Sequence, residues 1–478
     1  MLTRDTGRRR SHPTVYERLA PRPEAVEAAL AGSREAVFWL EDAGERPSHP
    51  PLAGRRSADL AVVGAGYAGL WTAVLAKRRN PGARVVVLEA GRVGWAASGR
   101  NGGFCEASLT HGESNGRSRW PDEYDELDRL GRENLDALAA DVTELRLDCQ
   151  LERTGMLSVA VEPHQVAWAH ESGEPLDRDG VRARLDSPIA LAGGFEADTC
   201  ALVHPARLAL ELARVAVGLG VEVHEHTRVT GLGSSRSGPV TLTTQAGSVV
   251  ADRVALCTNV FPSLVRRTRW HTVPVYDYVL MTEPLTPSQL ASVGWHGREG
   301  VGDLANQFHY LRLTADDRIL FGGYDAVYHY GRRVRPAYEH RPDSHRRLAA
   351  HFLTMFPQLD GVRFSHRWAG AIDTSTQFCA FHGLARGGRV AYAAGFTGLG
   401  VGATRFAAEV MLDRLSGLAT PRTDLQMVRR LPLPFPPEPV ASAGIQLTRA
   451  SLDRADHREG RRNLLLRTLD RLGLGFDS

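Results

Sequence analysis

The run Asp59-Leu-Ala-Val-Val-Gly64-Ala-Gly66-Tyr-Ala-Gly69-Leu-Trp-Thr-Ala73 constrains this chain more than any other stretch of it. Leu60 to Val63 has the length and residue types of a short buried strand, Ala68 to Arg79 reads as a helix, and Arg84 to Leu88 is a second apolar strand. Residues 59 to 89 therefore form one βαβ unit, which implies a parallel sheet. The glycines fall between strand and helix with the spacing GxGxxG. Gly64 permits the tight turn, Gly66 lets the backbone approach a pyrophosphate, and Gly69 lets the helix pack closely on the strand. A pyrophosphate then lies at the helix N-terminus, where free N–H groups and the helix dipole favour negative charge. Glu89 ends the second strand twenty residues after Gly69, where an acceptor for ribose hydroxyls belongs. Its charge speaks against a ribose 2′-phosphate.

NAD and FAD share this fingerprint, so other residues must separate them. After Glu89 and Ala90 comes Gly91-Arg-Val-Gly94-Trp-Ala-Ala-Ser98-Gly99-Arg100-Asn101-Gly102-Gly103-Phe, too aperiodic for a helix or strand. The run LEAGRVGWAASGRNGG resembles the flavin-contacting loop of the D-amino-acid oxidase and glycine/sarcosine oxidase superfamily. It is most similar to the γ-glutamylputrescine oxidoreductase-like branch, which shares an N-terminal extension and a GLWTA-type helix start. The resemblance implies FAD, with Ser98, Arg100, Asn101 and Gly102 on its pyrophosphate, ribityl chain and flavin, and Tyr67 and Ala68 at the helix start. Val221 to Val229 resembles the segment whose backbone meets the adenine, and Val254 to Asn259, with Thr258 and Asn259, the turn that returns to the nucleotide. Ala391 to Gly402 resembles the C-terminal strand, Gly-rich turn and helix, whose N-terminus points at the pyrimidine end of the flavin. Gly395, Gly398, Leu399, Gly400 and Val401 carry that expectation. Two departures matter. Leu399 stands where many sarcosine-oxidase relatives have His, and Cys379 falls several residues too late for their covalent flavin bond, so non-covalent FAD is expected.

Composition narrows the setting. With 43% hydrophobic and 24% charged residues among 478, the chain is globular, and a net charge of +3 with interspersed signs predicts no nucleic-acid partner. The Arg8 to Arg10 cluster is read as a solvated arm. Five cysteines without a CxxC pair argue against a disulfide framework or zinc site and suggest a cytoplasmic protein. No stretch is long and apolar enough to span a membrane, so no membrane partner is expected.

The expected fold is α/β: a discontinuous Rossmann-like FAD-binding domain (58–115, 200–265 and 365–420) with an inserted α+β substrate domain (116–199 and 266–364) containing an antiparallel sheet. Residues 1–57 and 421–478 are read as extensions, and Val37 to Leu40 as a cluster that packs on the body. The oligomeric state is left open. Strands at Val273 to Met281, Phe308 to Leu313 and Ile319 to Gly322 supply the substrate-side candidates. Tyr276 and Tyr278 share one strand face, as do Tyr310 and Arg312. If those faces look onto the flavin, Tyr278 and Tyr310 hold an amine and Arg312 a carboxylate; His309 and Tyr324 lie nearby. His366, Arg367, Trp368 and His329 to Arg333 read as structural.

The resemblance implies a small amine or amino acid as substrate, and oxidation at the carbon next to nitrogen by hydride transfer to FAD, giving an imine that water hydrolyses. A disulfide reductase would need a second GxGxxG unit and a redox Cys pair, which are absent from the sequence. An FAD-dependent monooxygenase and a flavin-binding protein without turnover stay open.

Overall fold

The nucleotide-side sheet grows from the segment that the glycine motif singled out. In the computed structural model, which describes residues 12–234 and 238–474, the first strand is Gly54–Val63 and the helix Tyr67–Arg79. The Arg8 to Arg10 cluster lies outside the described residues. Gly54–Val63 sits between Val85–Leu88 and Gly247–Leu256, parallel to both, and Glu222–His224 extends the sheet beyond Val85–Leu88. Val390–Ala394 runs parallel to the last part of Gly247–Leu256. The final four residues of the first strand are all buried, as expected for a parallel sheet covered on both faces. Every residue from Tyr67 to Lys77 is buried too. The helix is enclosed by the sheet and the helices Pro205–Gly218 and Gly400–Ser416, so it needs no polar face.

Ten strands form the second sheet among the described residues. At its centre Val273–Thr282 pairs antiparallel with Phe364–Thr374 and Ile319–Gly323, and His309–Leu313 follows. Alternation gives this sheet two unlike faces. Tyr276, Tyr278, Leu280 and Ala369 pack with Phe352 and Met355 of the helix Pro342–Met355. Val279, Met281, Leu320 and Trp368 turn the other way and pack with Phe38, Trp39 and Ala206. Ala206 belongs to a helix of the nucleotide side, so the second face looks toward the first sheet.

Described segments near both ends of the chain are built into this frame. Phe38 and Trp39 are buried, as the sequence led us to expect. Arg34–Glu35 pairs with Phe364–Thr374, and the Tyr16 hydroxyl donates to Asp303 at 2.6 Å. Beyond Arg430 the proline-rich stretch has no helix or strand; Phe435 N–H donates to Trp270 O at 2.7 Å, and Asp456 of the helix Val440–Asp456 accepts the Asn306 N–H at 2.9 Å. All five cysteines are free and buried. No described helix is long and apolar enough to cross a membrane.

Candidate active site

The three motif glycines occupy positions that side chains cannot share. Gly64 has φ +106°, and a Cβ there would lie 2.5 Å from Cys257 O; one at Gly69 would lie 1.9 Å from Gly64 O. A Cβ at Gly66 would stand 2.9 Å from the Ser98 hydroxyl, which accepts the Tyr67 N–H at 3.0 Å. Ser98 thus ties the Gly-rich loop to the first turn of the helix. Glu89 is buried and accepts from Ala65 N–H, Gly91 N–H and the Trp95 indole at 2.7, 2.7 and 2.9 Å. Its three bonds leave acceptor capacity for one further donor.

These groups line one cavity of about 510 Å³ that runs from Thr227–Thr230 past Gly64–Ala68 to Ile372, Phe396 and Val401. The volume is that of a small-molecule or cofactor site. Of the expected contacts, Gly64, Gly66, Tyr67, Ala68, Glu89, Ala90, Ser98, Asn101, Val229, Thr258, Asn259, Gly398, Gly400 and Val401 line it. Five others do not. Gly69 faces the strand, Gly395 packs on Ser375 and Phe381, and Leu399 joins the core behind the turn. Gly102 lies against Tyr310, where a Cβ would come within 2.8 Å of the ring. Arg100 donates to Trp95 O and pairs with Glu339.

The far end of the cavity is shaped by strained backbone. Asn259 and Thr397 hold φ of +50° without being glycine, and Asn259 Oδ1 is buried with no hydrogen-bond partner. Such conformations persist only where the surroundings impose them. Asp373, buried on the strand Phe364–Thr374, accepts the Gly395 N–H at 2.6 Å and fixes the turn leading into Gly400–Ser416. Burial pushes its carboxyl up to about 7, against the amides of Gly395 and Phe396, which favour the ion. The folded protein therefore keeps a proton on Asp373 that the unfolded chain loses near pH 4, and stability falls as pH rises from about 4 to about 7. Asp373→Asn carries no such burden. Its thermal midpoint is expected to gain on the parent's between about pH 4 and about pH 7; a gap that stays constant over that range would count against this account.

On the second sheet the expected substrate residues separate. Tyr278 faces the helical layer: it donates to Tyr338 O at 2.8 Å, its ring meets His345 edge-on, and it lies behind the sheet. The expectation that its face turns toward the nucleotide side is corrected, because the strand's parity turns Asp277 that way instead. Tyr276 shares the fate of Tyr278. Tyr310 and Arg312 do face the nucleotide side. The Tyr310 hydroxyl donates to Asp277. Arg312, however, is buried beneath Trp39 and donates to Val203 O at 2.6 Å and Leu313 O at 3.2 Å. Burial lowers its pKa to about 10. Trp368, read as structural, donates its indole N–H to Arg100 O at 2.8 Å and so positions the loop.

Sequence reasoning passed over Asp277, Ile372 and Asp373, although each lies in a stretch singled out for other residues. A lone acid in an apolar strand is the signal that was available, since a buried charge must find partners.

The cavity fits a flavin dinucleotide on its own terms: a glycine cradle closed to Cβ atoms, two helix N-termini, a buried carboxylate with spare acceptor capacity, and an unpartnered amide oxygen. Comparisons with known proteins agree. The family described as "DAO: FAD dependent oxidoreductase" matches residues 59–414. γ-Glutamylputrescine oxidoreductase of Escherichia coli (strain K12) is 30% identical over 381 residues, covering 76% of this chain and 84% of that protein. The probable oxidoreductase OrdL of Haemophilus influenzae is 26% identical over 398 residues, 80% of this chain and 88% of that one. Glycine oxidase from Geobacillus kaustophilus superposes with a TM-score of 0.62 at 21% identity, covering 76% of this chain and 96% of its own. The chain is thus an FAD-dependent oxidoreductase in class. It belongs to the DAO family.

Proposed function

We propose that this protein oxidises a small amine or amino acid at the carbon next to nitrogen, using non-covalently bound FAD. The reading is supported by one observation above others: Val275, Asp277, Gly370 and Ile372 stay partly exposed on the sheet face turned toward the nucleotide cradle, and Ile372 lines the cradle's own cavity. When bound, FAD supplies the acceptor for a hydride equivalent leaving that carbon. In this assignment the helix starting at Tyr67 holds the pyrophosphate and Glu89 a ribose hydroxyl. The turn from Gly398 to Val401, braced by Asp373, holds the pyrimidine end. Cys379 is buried against Met427 Sδ at 3.9 Å, away from the cavity, which supports non-covalent attachment. Residues 58–115, 200–265 and 365–420 form the cofactor domain in this reading, and 116–199 and 266–364 the substrate domain.

The chain's part in the chemistry is to hold the amine and manage its proton. An alkylamine arrives as ammonium, and its nitrogen must be neutral before its lone pair can form the C=N bond as hydride leaves. Asp277 is the acceptor in place. Burial raises its carboxyl to about 6, while the Tyr310 hydroxyl and the amides of Tyr278 and Gly323 favour the ion. At neutral pH it is a carboxylate able to receive the ammonium and take its proton. Water then adds to the imine carbon, and the carbonyl product and the released amine leave. Tyr310, pressed between Gly102 and Gly322, fixes the carboxylate. Tyr278 and Arg312 secure the same wall through Tyr338 O and Val203 O.

The test is an anaerobic absorbance titration of the purified flavoprotein with amines and amino acids, followed by acid precipitation. We expect one class of amine to bleach the oxidised-flavin spectrum and the flavin to remain in the acid supernatant. Bound flavin that no amine or amino acid reduces would refute the reaction, and flavin in the pellet would refute non-covalent attachment.

A further inference from the structure

This inference rests on the amine-oxidising reading and narrows it. An amino acid carries a carboxylate on the carbon that would react, and a site that accepts it needs a cation or donor pair free to receive that group. Two arginines belong to this wall, Arg312 on the strand His309–Leu313 and Arg100, whose Cβ is the group nearest Gly370. Arg312 donates to the carbonyls of Val203 and Leu313 beneath Trp39 and has only 4% of its surface exposed. Arg100 donates to Trp95 O and Ala369 O and is paired with Glu339 at 2.5 Å. Both guanidiniums are already engaged by the protein.

What the open wall does offer is acidic. Asp277 lies directly across the strand pair from Gly370. Gly370 leaves space beside the carboxylate: even a Cβ there would come no nearer than 3.7 Å to any other group, that being Arg100 Cβ. Gly322 likewise lets the Tyr310 ring lie flat on the strand, and its hydroxyl reaches Asp277. The result is a half-open carboxylate with a neutral hydroxyl beside it. A second carboxylate brought to this place would meet like charge in a partly desolvated setting.

We infer that the site takes amines whose reacting carbon bears no carboxylate, with Asp277 as the residue that sets this choice. The substrate's ammonium meets Asp277, and the position next to it on the reacting carbon is occupied by hydrogen or an uncharged substituent.

Matched pairs that differ by this one carboxylate test the inference: benzylamine against phenylglycine, and pyrrolidine against proline. The holoenzyme is titrated anaerobically with each, recording both ligand-induced shifts of the flavin spectrum and the second-order rate of bleaching. In at least one pair the amine is expected to outperform its acid partner by about 100-fold or more. Asp277→Asn, at unchanged flavin content, should narrow that ratio about tenfold. Equal or better reduction by the amino acids, or a ratio untouched by Asp277→Asn, overturns the selection and leaves amine oxidation standing. A holoenzyme that no pair member shifts or bleaches overturns the selection as well. A protein that takes up no FAD refutes the underlying reading instead.

Discussion

Gly69→Ala is expected to deprive this protein of its flavin. The methyl group would stand 1.9 Å from Gly64 O, 3.0 Å from Gly64 C and 3.2 Å from Val62 Cγ1. None of these can retreat cheaply: Val62 is in the middle of a sheet, and Gly64 is pinned at φ +106° against Cys257 O. The helix must therefore lift from the strand, taking the first-turn N–H groups away from the pyrophosphate position. Overpacking costs about 1–3 kcal/mol even where side chains can shift. With backbone as the obstacle, we expect FAD affinity to fall by about 100-fold or more, or about 2.7 kcal/mol. Flavin fluorescence titration of stripped protein reads this directly. Gly370→Ala is the control, since its Cβ would meet ordinary van der Waals contact. Equal affinity in Gly69→Ala and the parent would show that the close approach of helix and strand does not hold the cofactor.

Asp303→Ala should be the most damaging change on the other sheet. Its carboxylate accepts from the Tyr16 hydroxyl and His309 Nδ1, each at 2.6 Å, and from the His309 backbone N–H at 3.0 Å. His309 Nε2 in turn meets His351 Nδ1 at 2.9 Å, and the His309 and Asp303 side chains have no solvent exposure. Removing the carboxylate strands a buried histidine and a buried phenol, which typically costs about 3–5 kcal/mol. The loss has a definite address. Tyr16 anchors the N-terminal helix Val15–Arg18, and His309 directly precedes Tyr310 in its strand. Limited proteolysis should cut within residues 12–42 sooner, and the chemical denaturation midpoint should drop. Asp303→Asn, which keeps an acceptor for Tyr16, should lose less. A variant as resistant as the parent would remove this network from the account of stability.

Much of the cofactor side was legible because its instructions are local. A strand, three glycines and a helix must each satisfy a constraint within a few residues, and Glu89 follows at a spacing set by one βαβ unit. The Gly-rich turn before Gly400–Ser416 is local in the same sense. Gly395 and Leu399 are expected as contacts through the resemblance of the whole turn; the structure packs Gly395 on Ser375 and Leu399 into the core.

The substrate wall was less legible, for a reason of parity. Along Val273–Thr282 the residues of both faces are mostly buried: Tyr276 and Tyr278 against a helix, Val279 and Met281 against Phe38 and Trp39. With both faces apolar, alternation says which residues go together without saying which way they point. Arg312 shows the same limit. Its acceptor Val203 is 109 residues away and belongs to the other half of the molecule, so an arginine free in sequence is bound in space. The sequence by itself determined the strand, glycine turn and helix at the heart of the nucleotide cradle, because the close approach of Gly69 to Gly64 and the bond from Ala65 N–H to Glu89 both fall within one βαβ unit. Only the tertiary structure decided that Asp277, rather than Tyr278, lies on the sheet face turned toward the nucleotide side, and that Arg312 is already engaged. Those outcomes depend on which layer packs on which face of a sheet, a contest between groups far apart along the chain.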